Sequence, residues 1–180
     1  KRLAEWARAE GLPLMVHAAE SPEEVAFLAR GEGPLREVYG RFAKTPWTPP
    51  GTTPVRHLHA LGVLGPTTLL VHGGQVDEEE VGLLAETGTK VVLCPRSNAN
   101  LEVGEAPLAL YAKHGVELAL GTDSRGSSPD LDVKNEARFL WGRAEPRLLV
   151  RALTRGGYRA LGLPTPRLTR GTPLSLVHFL

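Results

Sequence analysis

An α/β fold with a parallel sheet is the class this sequence predicts, and three observations predict it. Four short apolar runs, at 14–17, 68–72, 90–94 and 117–121, are each bounded by turn formers. Each run is followed by a segment whose apolar residues recur at helical spacing. Each run also ends, on its C-terminal side, in polar residues able to bind a metal or move a proton: His17 with Glu20, His72, Ser97 with Asn98, and Asp123. Strand and helix alternating in this way build βαβ units, and the C-terminal strand ends of such sheets form the rim on which sites are assembled.

The elements follow in order. Leu3, Trp6, Ala7 and Ala9 predict an opening helix, closed by Gly11 and Pro13. After the first strand, Ser21 and Pro22 supply an N-cap and a proline at the first helical position, ahead of Glu23, Glu24, Val25, Phe27 and Leu28. Residues 31–53 are rich in Gly and Pro, hold Trp47, and read as a long loop over the rim. Thr53 and Pro54 start a helix with Val55, Leu58 and Leu61 on its apolar face. Asp77 caps a helix within 76–86, whose acidic first turn suits the helix dipole. Helices are predicted at 107–114, 131–141 and 146–161, and a last strand at 174–180 after the Gly171-Thr172-Pro173 turn.

Composition excludes several classes. The chain has 180 residues, 42% of them hydrophobic, and 21 basic against 20 acidic residues. That balance, without a basic run, argues against sequence-independent nucleic-acid binding. No apolar stretch reaches the roughly 18 residues of a spanning helix, and the charged opening is not a signal peptide, so a cytoplasmic location is expected. Cys94, the single cysteine, has no partner for an internal disulfide. Arginine outnumbers lysine, there are 15 prolines, and Met15 and Gln75 are each the single residue of their type, a profile that predicts heat adaptation.

The candidate residues admit two readings each. His17 and Glu20 fit a metal ligand followed by a proton shuttle, or a strand cap beside a solvated carboxylate. His72, in Leu-Leu-Val-His-Gly-Gly, is either a hydrogen-bonded structural histidine or a group facing a bound molecule. Asp123, in Leu-Gly-Thr-Asp-Ser, needs a cation or several donors to offset its desolvation, or else serves as a cap. His57 and His59 are two apart on a predicted helix, hence about 200° apart, and diverge. His114 precedes Gly115 at a helix C-terminus, where an imidazolium suits the dipole. Cys94 before Pro95 lacks an evident base and reads as a buried thiol. Gly-Thr-Asp-Ser-Arg-Gly-Ser-Ser lacks the lysine of a phosphate loop.

Together, His-Ala-Ala-Glu at 17–20, Val-His at 71–72, Cys-Pro-Arg-Ser-Asn-Ala-Asn-Leu at 94–101 and Leu-Gly-Thr-Asp-Ser at 120–124 resemble the amidohydrolase superfamily, in its chlorohydrolase and aminopurine deaminase branch. The resemblance implies the C-terminal half, strands five to eight, of a (β/α)8 TIM-type barrel over residues 1–166, with 167–180 giving a strand to a small β domain. It implies His17 and Asp123 as metal ligands, Glu20 as proton shuttle, and His72 polarising the substrate or the attacking water. Ser97 and Asn98 would organise the rim, with Trp47 on a lid over the substrate. The implied cofactor is one zinc ion per complete site, with iron(II) as a substitute. The implied reaction is hydrolytic deamination or dechlorination of an aminated heterocycle, purine- or triazine-like.

Two departures stand beside that resemblance. The first-strand His-x-His of the family is missing, and Val-His-Gly-Gly replaces the more usual Val-His-Cys. A complete barrel of this type needs about 250 residues, and the chain starts at Lys1 in what reads as the helix before strand five. The expectation is therefore a piece of a larger domain that associates with a missing N-terminal segment or with further copies of itself. The competing functions are a binuclear amide or ureide hydrolase and a catalytically silent half-barrel. No nucleic-acid or membrane partner is expected.

Overall fold

The computed structural model describes residues 1–43, 45–165 and Arg170. A parallel four-stranded sheet lies at its centre: β1 (Leu14–Ala18), β2 (Thr68–His72), β3 (Lys90–Leu93) and β4 (Leu118–Leu120). The strands neighbour one another in sequence order, with Leu14 opposite Thr68, Val71 opposite Val92 and Leu93 opposite Leu120. That order is singly wound, as in a β/α barrel, and lacks the reversal of a doubly wound sheet.

The helices are α1 (Arg2–Ala9), α2 (Pro22–Arg30), α3 (Pro34–Phe42), α4 (Pro54–Ala60), α5 (Glu78–Thr87), α6 (Pro95–Asn100), α7 (Leu108–Lys113), α8 (Val133–Phe139), α9 (Pro146–Arg151) and α10 (Gly157–Ala160). Their starts follow local chemistry. The Ser21 hydroxyl accepts from the Glu24 N–H to open α2, and Asp77 and Glu80 form a reciprocal capping box that opens α5. The core has two parts. Leu70, Val91, Leu118 and Leu120 pack with Val55, Val81, Leu84, Tyr111 and Leu149, whereas Leu69 and Ala119 meet Ala160. No helix among the described residues is long and apolar enough to cross a membrane.

Four expectations change. Residues 31–53 are not one loop, because Pro34 occupies the first turn of α3 and Leu35, Val38 and Phe42 recur along it; glycine and proline there start and cap a helix. Pro95 likewise starts the short α6, a helix not predicted ahead of the one at 107–114. The opening helix buries Ala4 and Ala7, while Leu3 and Trp6 stay exposed. The predicted helix at 146–161 contains a π-turn, Ala152–Gly156, between α9 and α10. A side chain at Gly156 would run into the Leu118 carbonyl, so the glycine lets the widened turn press against β4. The strand expected at 174–180 lies outside the described residues.

Candidate active site

Backbone conformation is unusual where the strands end. Among the described residues four non-glycines have positive φ: Ala19 at 52°, His72 at 75°, Glu102 at 56° and Asp123 at 61°. Three of these sit at the exits of β1, β2 and β4. A left-handed non-glycine costs about 1–3 kcal/mol and persists where its surroundings over-determine it. Each exit shows how that is done.

At the exit of β1, the Glu24 carboxylate accepts the Glu20 N–H at 2.8 Å while the Glu24 N–H donates to Ser21 Oγ at 3.2 Å. This is a capping box displaced by one residue, and it anchors the turn that carries Glu20. Burial pushes the Glu24 carboxyl above its usual range, partly opposed by backbone donors at Glu20 and Ala19.

At the exit of β2, His72 is fully enclosed, and its Nδ1 lies 2.8 Å from Asn98 Oδ1. An amide oxygen can only accept, so Nδ1 carries a proton, and in the neutral form of the ring the lone pair lies on Nε2. Among the described residues that buried Nε2 has no hydrogen-bond partner, and it lies 3.6 Å from Glu20 Oε1.

Ser97 and Asn98 reach the site because Pro95 starts α6 directly after β3, which buries both residues. Arg96, on the same short helix, makes a two-pronged ion pair with Asp130 at 2.8 and 2.9 Å, and its N–H donates to buried Glu136. These contacts tie α6 to the segment leading into α8.

Asp123, after β4, accepts from Ser97 Oγ at 2.8 Å and Ser127 Oγ at 2.7 Å on the same carboxylate oxygen. The two hydroxyl oxygens also lie 2.8 Å from each other, so the three oxygens form one hydrogen-bonded cluster. Partial burial works against the charge, but the Ser127 and Ser97 donors outweigh it and hold the carboxyl below its usual range.

The outcome is that Glu20, His72 and Asp123 offer one ligand atom each within 4.8 Å of one another. Imidazole and carboxylate donors are of the kind that suits zinc, and the orphaned Nε2 of His72 calls for a polar partner in this opening, such as an ion or its bound water. His17 lies beside this trio but outside it, exposed, its ring centroid 5.3 Å from that of His72. Trp47 stacks on Phe27 at 4.2 Å and meets Tyr39 at 5.5 Å, in a small aromatic cluster joining α2, α3 and the segment after them. His57 and His59 lie on α4 as expected, and His114 caps α7 with Nε2 at 3.2 Å from Glu78. Burial pushes the Cys94 thiol up to about 12, which leaves it unreactive.

Sequence reasoning missed Glu24, Ser127 and Tyr111. Ser21-x-x-Glu24 has capping-box spacing and could have flagged Glu24. Ser127 lies four residues past Asp123, within reach of a turn. Nothing local marks Tyr111, whose hydroxyl donates to the Gly73 carbonyl at 2.6 Å from a helix 38 residues away.

A singly wound parallel sheet with carboxylates and an imidazole gathered at its C-terminal rim is the arrangement on which β/α-barrel proteins build their sites. The amidohydrolase family profile matches residues 1–179, and the chain belongs to that family. It is 42% identical to the aminodeoxyfutalosine deaminase of Deinococcus radiodurans over 94% of this chain and 43% of that protein. It is 33% identical to a 5-methylthioadenosine/S-adenosylhomocysteine deaminase of Halobacterium salinarum, over 96% of this chain and 39% of the relative. Among solved structures, an adenosine deaminase from Xanthomonas campestris with bound zinc superposes with a TM-score of 0.71 at 30% identity, over 89% of this chain and 35% of that one. The zinc complex of an atrazine chlorohydrolase from Arthrobacter aurescens shares the fold with a TM-score of 0.70 at 22% identity, over 89% of this chain and 34% of that one. The chain thus spans less than half the length of these proteins.

Proposed function

We propose that the protein containing this chain is a zinc-dependent hydrolase that deaminates an aminated heterocycle of the purine-nucleoside kind. The four strands then correspond to strands five to eight of a (β/α)8 barrel, and the site is completed by donors outside these 180 residues. The observation that carries the reading is the convergence of Glu20, His72 and Asp123 around the unpartnered His72 Nε2. Similarity to deaminases along nearly the whole chain supports it.

Asp123 and His17 would hold the ion, with His72 Nε2 facing the same opening. The chemistry zinc supplies when bound is Lewis-acid activation of water at neutral pH. Glu20, half-buried and anchored by the turn at Glu24, would pass one proton of the attacking water to the ring nitrogen of the substrate and the other to the amino group, which leaves as ammonia. His72, its tautomer fixed by Asn98, orients the attacking water or the developing charge through Nε2. Asp123 stays ionised because two serine hydroxyls donate to it. Trp47 and its aromatic neighbours form the wall of a lid over the substrate.

The test is ammonia release by the complete protein from a panel of 6-aminopurine nucleosides and aminotriazines, with zinc counted by elemental analysis. Turnover of a nucleoside with one zinc per chain is expected. Two tightly bound zinc ions, with hydrolysis of amides or ureides and no ammonia from any nucleoside, would overturn the reading.

A further inference from the structure

Tyr111 is fully enclosed and lies on α7, yet its hydroxyl reaches the exit of β2 and donates to the Gly73 carbonyl at 2.6 Å. Gly73 follows His72, and both residues have left-handed backbone, φ 75° and 58°. We propose that Tyr111 is a positioning residue for His72, its phenol clamping the Gly73 carbonyl so that the left-handed His72–Gly73 pair keeps Nε2 aimed at Glu20 and Asp123.

Three observations carry this. First, the pair is also tied to β1: His72 stands opposite Ala18 in the parallel register, the Gly73 N–H donates to the Ala18 carbonyl at 3.2 Å, and the Gln75 N–H donates to the Ala19 carbonyl at 2.8 Å. The Gly73 carbonyl takes no part in those bonds, and Tyr111 holds it. Second, the phenol and a side chain at position 73 compete for one volume. A Cβ at Gly73 would sit 2.5 Å from Tyr111 Oη and 3.0 Å from Leu70 Cδ2, so glycine here answers the hydroxyl as well as the positive φ. Third, His72 has no solvent exposure, and Asn98 fixes its ring at Nδ1 alone. A rotation of the backbone behind it therefore displaces the ring from Asn98 and from Glu20 together. Burial raises the Tyr111 phenol above its ordinary pKa, which keeps it a donor across the working range.

The kinetic arm of the test rests on the deaminase reading; the spectroscopic arm does not. Tyr111→Phe removes the hydroxyl alone. In the 15N-labelled full chain, with the His72 signals assigned by their loss in His72→Gln, the wild type should show a single Nδ1–H tautomer and Tyr111→Phe a mixture of both. Gly73→Ala displaces the same carbonyl without touching the phenol and should give the same mixing. Its melting temperature should fall well below that of wild type and partly recover in the Gly73→Ala/Tyr111→Phe pair, because the competing oxygen is gone. In the complete zinc-loaded enzyme, Tyr111→Phe should lower kcat about 10-fold with KM changed less than about 3-fold, the size seen when a group supporting a site residue is lost. An unchanged His72 spectrum in Tyr111→Phe, or no recovery in the double variant, overturns the proposal. A spectrum that responds in a protein releasing no ammonia from any substrate upholds the positioning role and rejects the deaminase reading.

Discussion

Truncating Asn98 tests how the site holds its imidazole. In Asn98→Ala the fully enclosed His72 loses the acceptor that Nδ1 meets at 2.8 Å, and Nε2 already has no partner. Leaving a buried donor unmet costs about 1–3 kcal/mol. If the ring recovers that cost by turning, the orientation of Nε2 toward Glu20 is lost, and the same free energy appears in the barrier as about a 5- to 150-fold fall in kcat. If the ring stays in place, the cost appears in stability, at about 2–4 °C of melting temperature per kcal/mol for a chain of this size. Ammonia release and thermal denaturation of the complete protein, read together, must therefore register the loss in one quantity or the other. Asn98→Leu, which restores volume without an acceptor, must be as impaired as Asn98→Ala. Both variants within about 2-fold of wild-type activity and about 1 °C of its melting point would refute the assignment of Asn98 as the partner that fixes His72.

Three further outcomes are expected. Gly156→Ala, whose Cβ would meet the Leu118 carbonyl, should destabilise by at least the about 1–3 kcal/mol of an overpacked core in urea unfolding; an unchanged midpoint would remove the π-turn's role in seating β4. Asp130 is held well below the usual carboxylate range by the Arg96 guanidinium. Its ion pair thus stabilises the fold above the unfolded pKa and is lost as pH falls through the folded one. Wild type and Asp130→Asn should differ in urea midpoint near neutrality and converge in strong acid, whereas equal midpoints at pH 7 would contradict the pair's contribution. Cys94, its thiol pushed up to about 12 by burial, should resist a thiol reagent at pH 8 in the folded protein and react once unfolded; fast labelling of the native chain would place the thiol at the surface.

Much of this molecule is legible from the sequence because it is written in short-range signals. The run at 68–72 is bounded by turn formers and forms β2 over those residues, and Asp77 and Ser21 cap the helices they precede. The chemistry of the rim is legible for the same reason, since residues that end successive parallel strands share one side of the sheet. Local reading failed where proline and glycine were taken as punctuation. Pro34 and Pro95 start helices instead, and Gly156 marks a close approach to β4, which no window around residue 156 contains.

The site itself was decided by packing. The sequence identified His17, Glu20, His72 and Asp123 as chemically able, but it could not say that Glu20, His72 and Asp123 converge within 4.8 Å while His17 stands apart. Nor could it show that Asn98 sets the His72 tautomer or that Tyr111 holds the next carbonyl. The physical reason is that these contacts join residues 26 and 38 positions apart at the left-handed His72–Gly73 pair, where His72 is not a glycine. Local propensity disfavours that conformation, and the tertiary contacts around it are what enforce it.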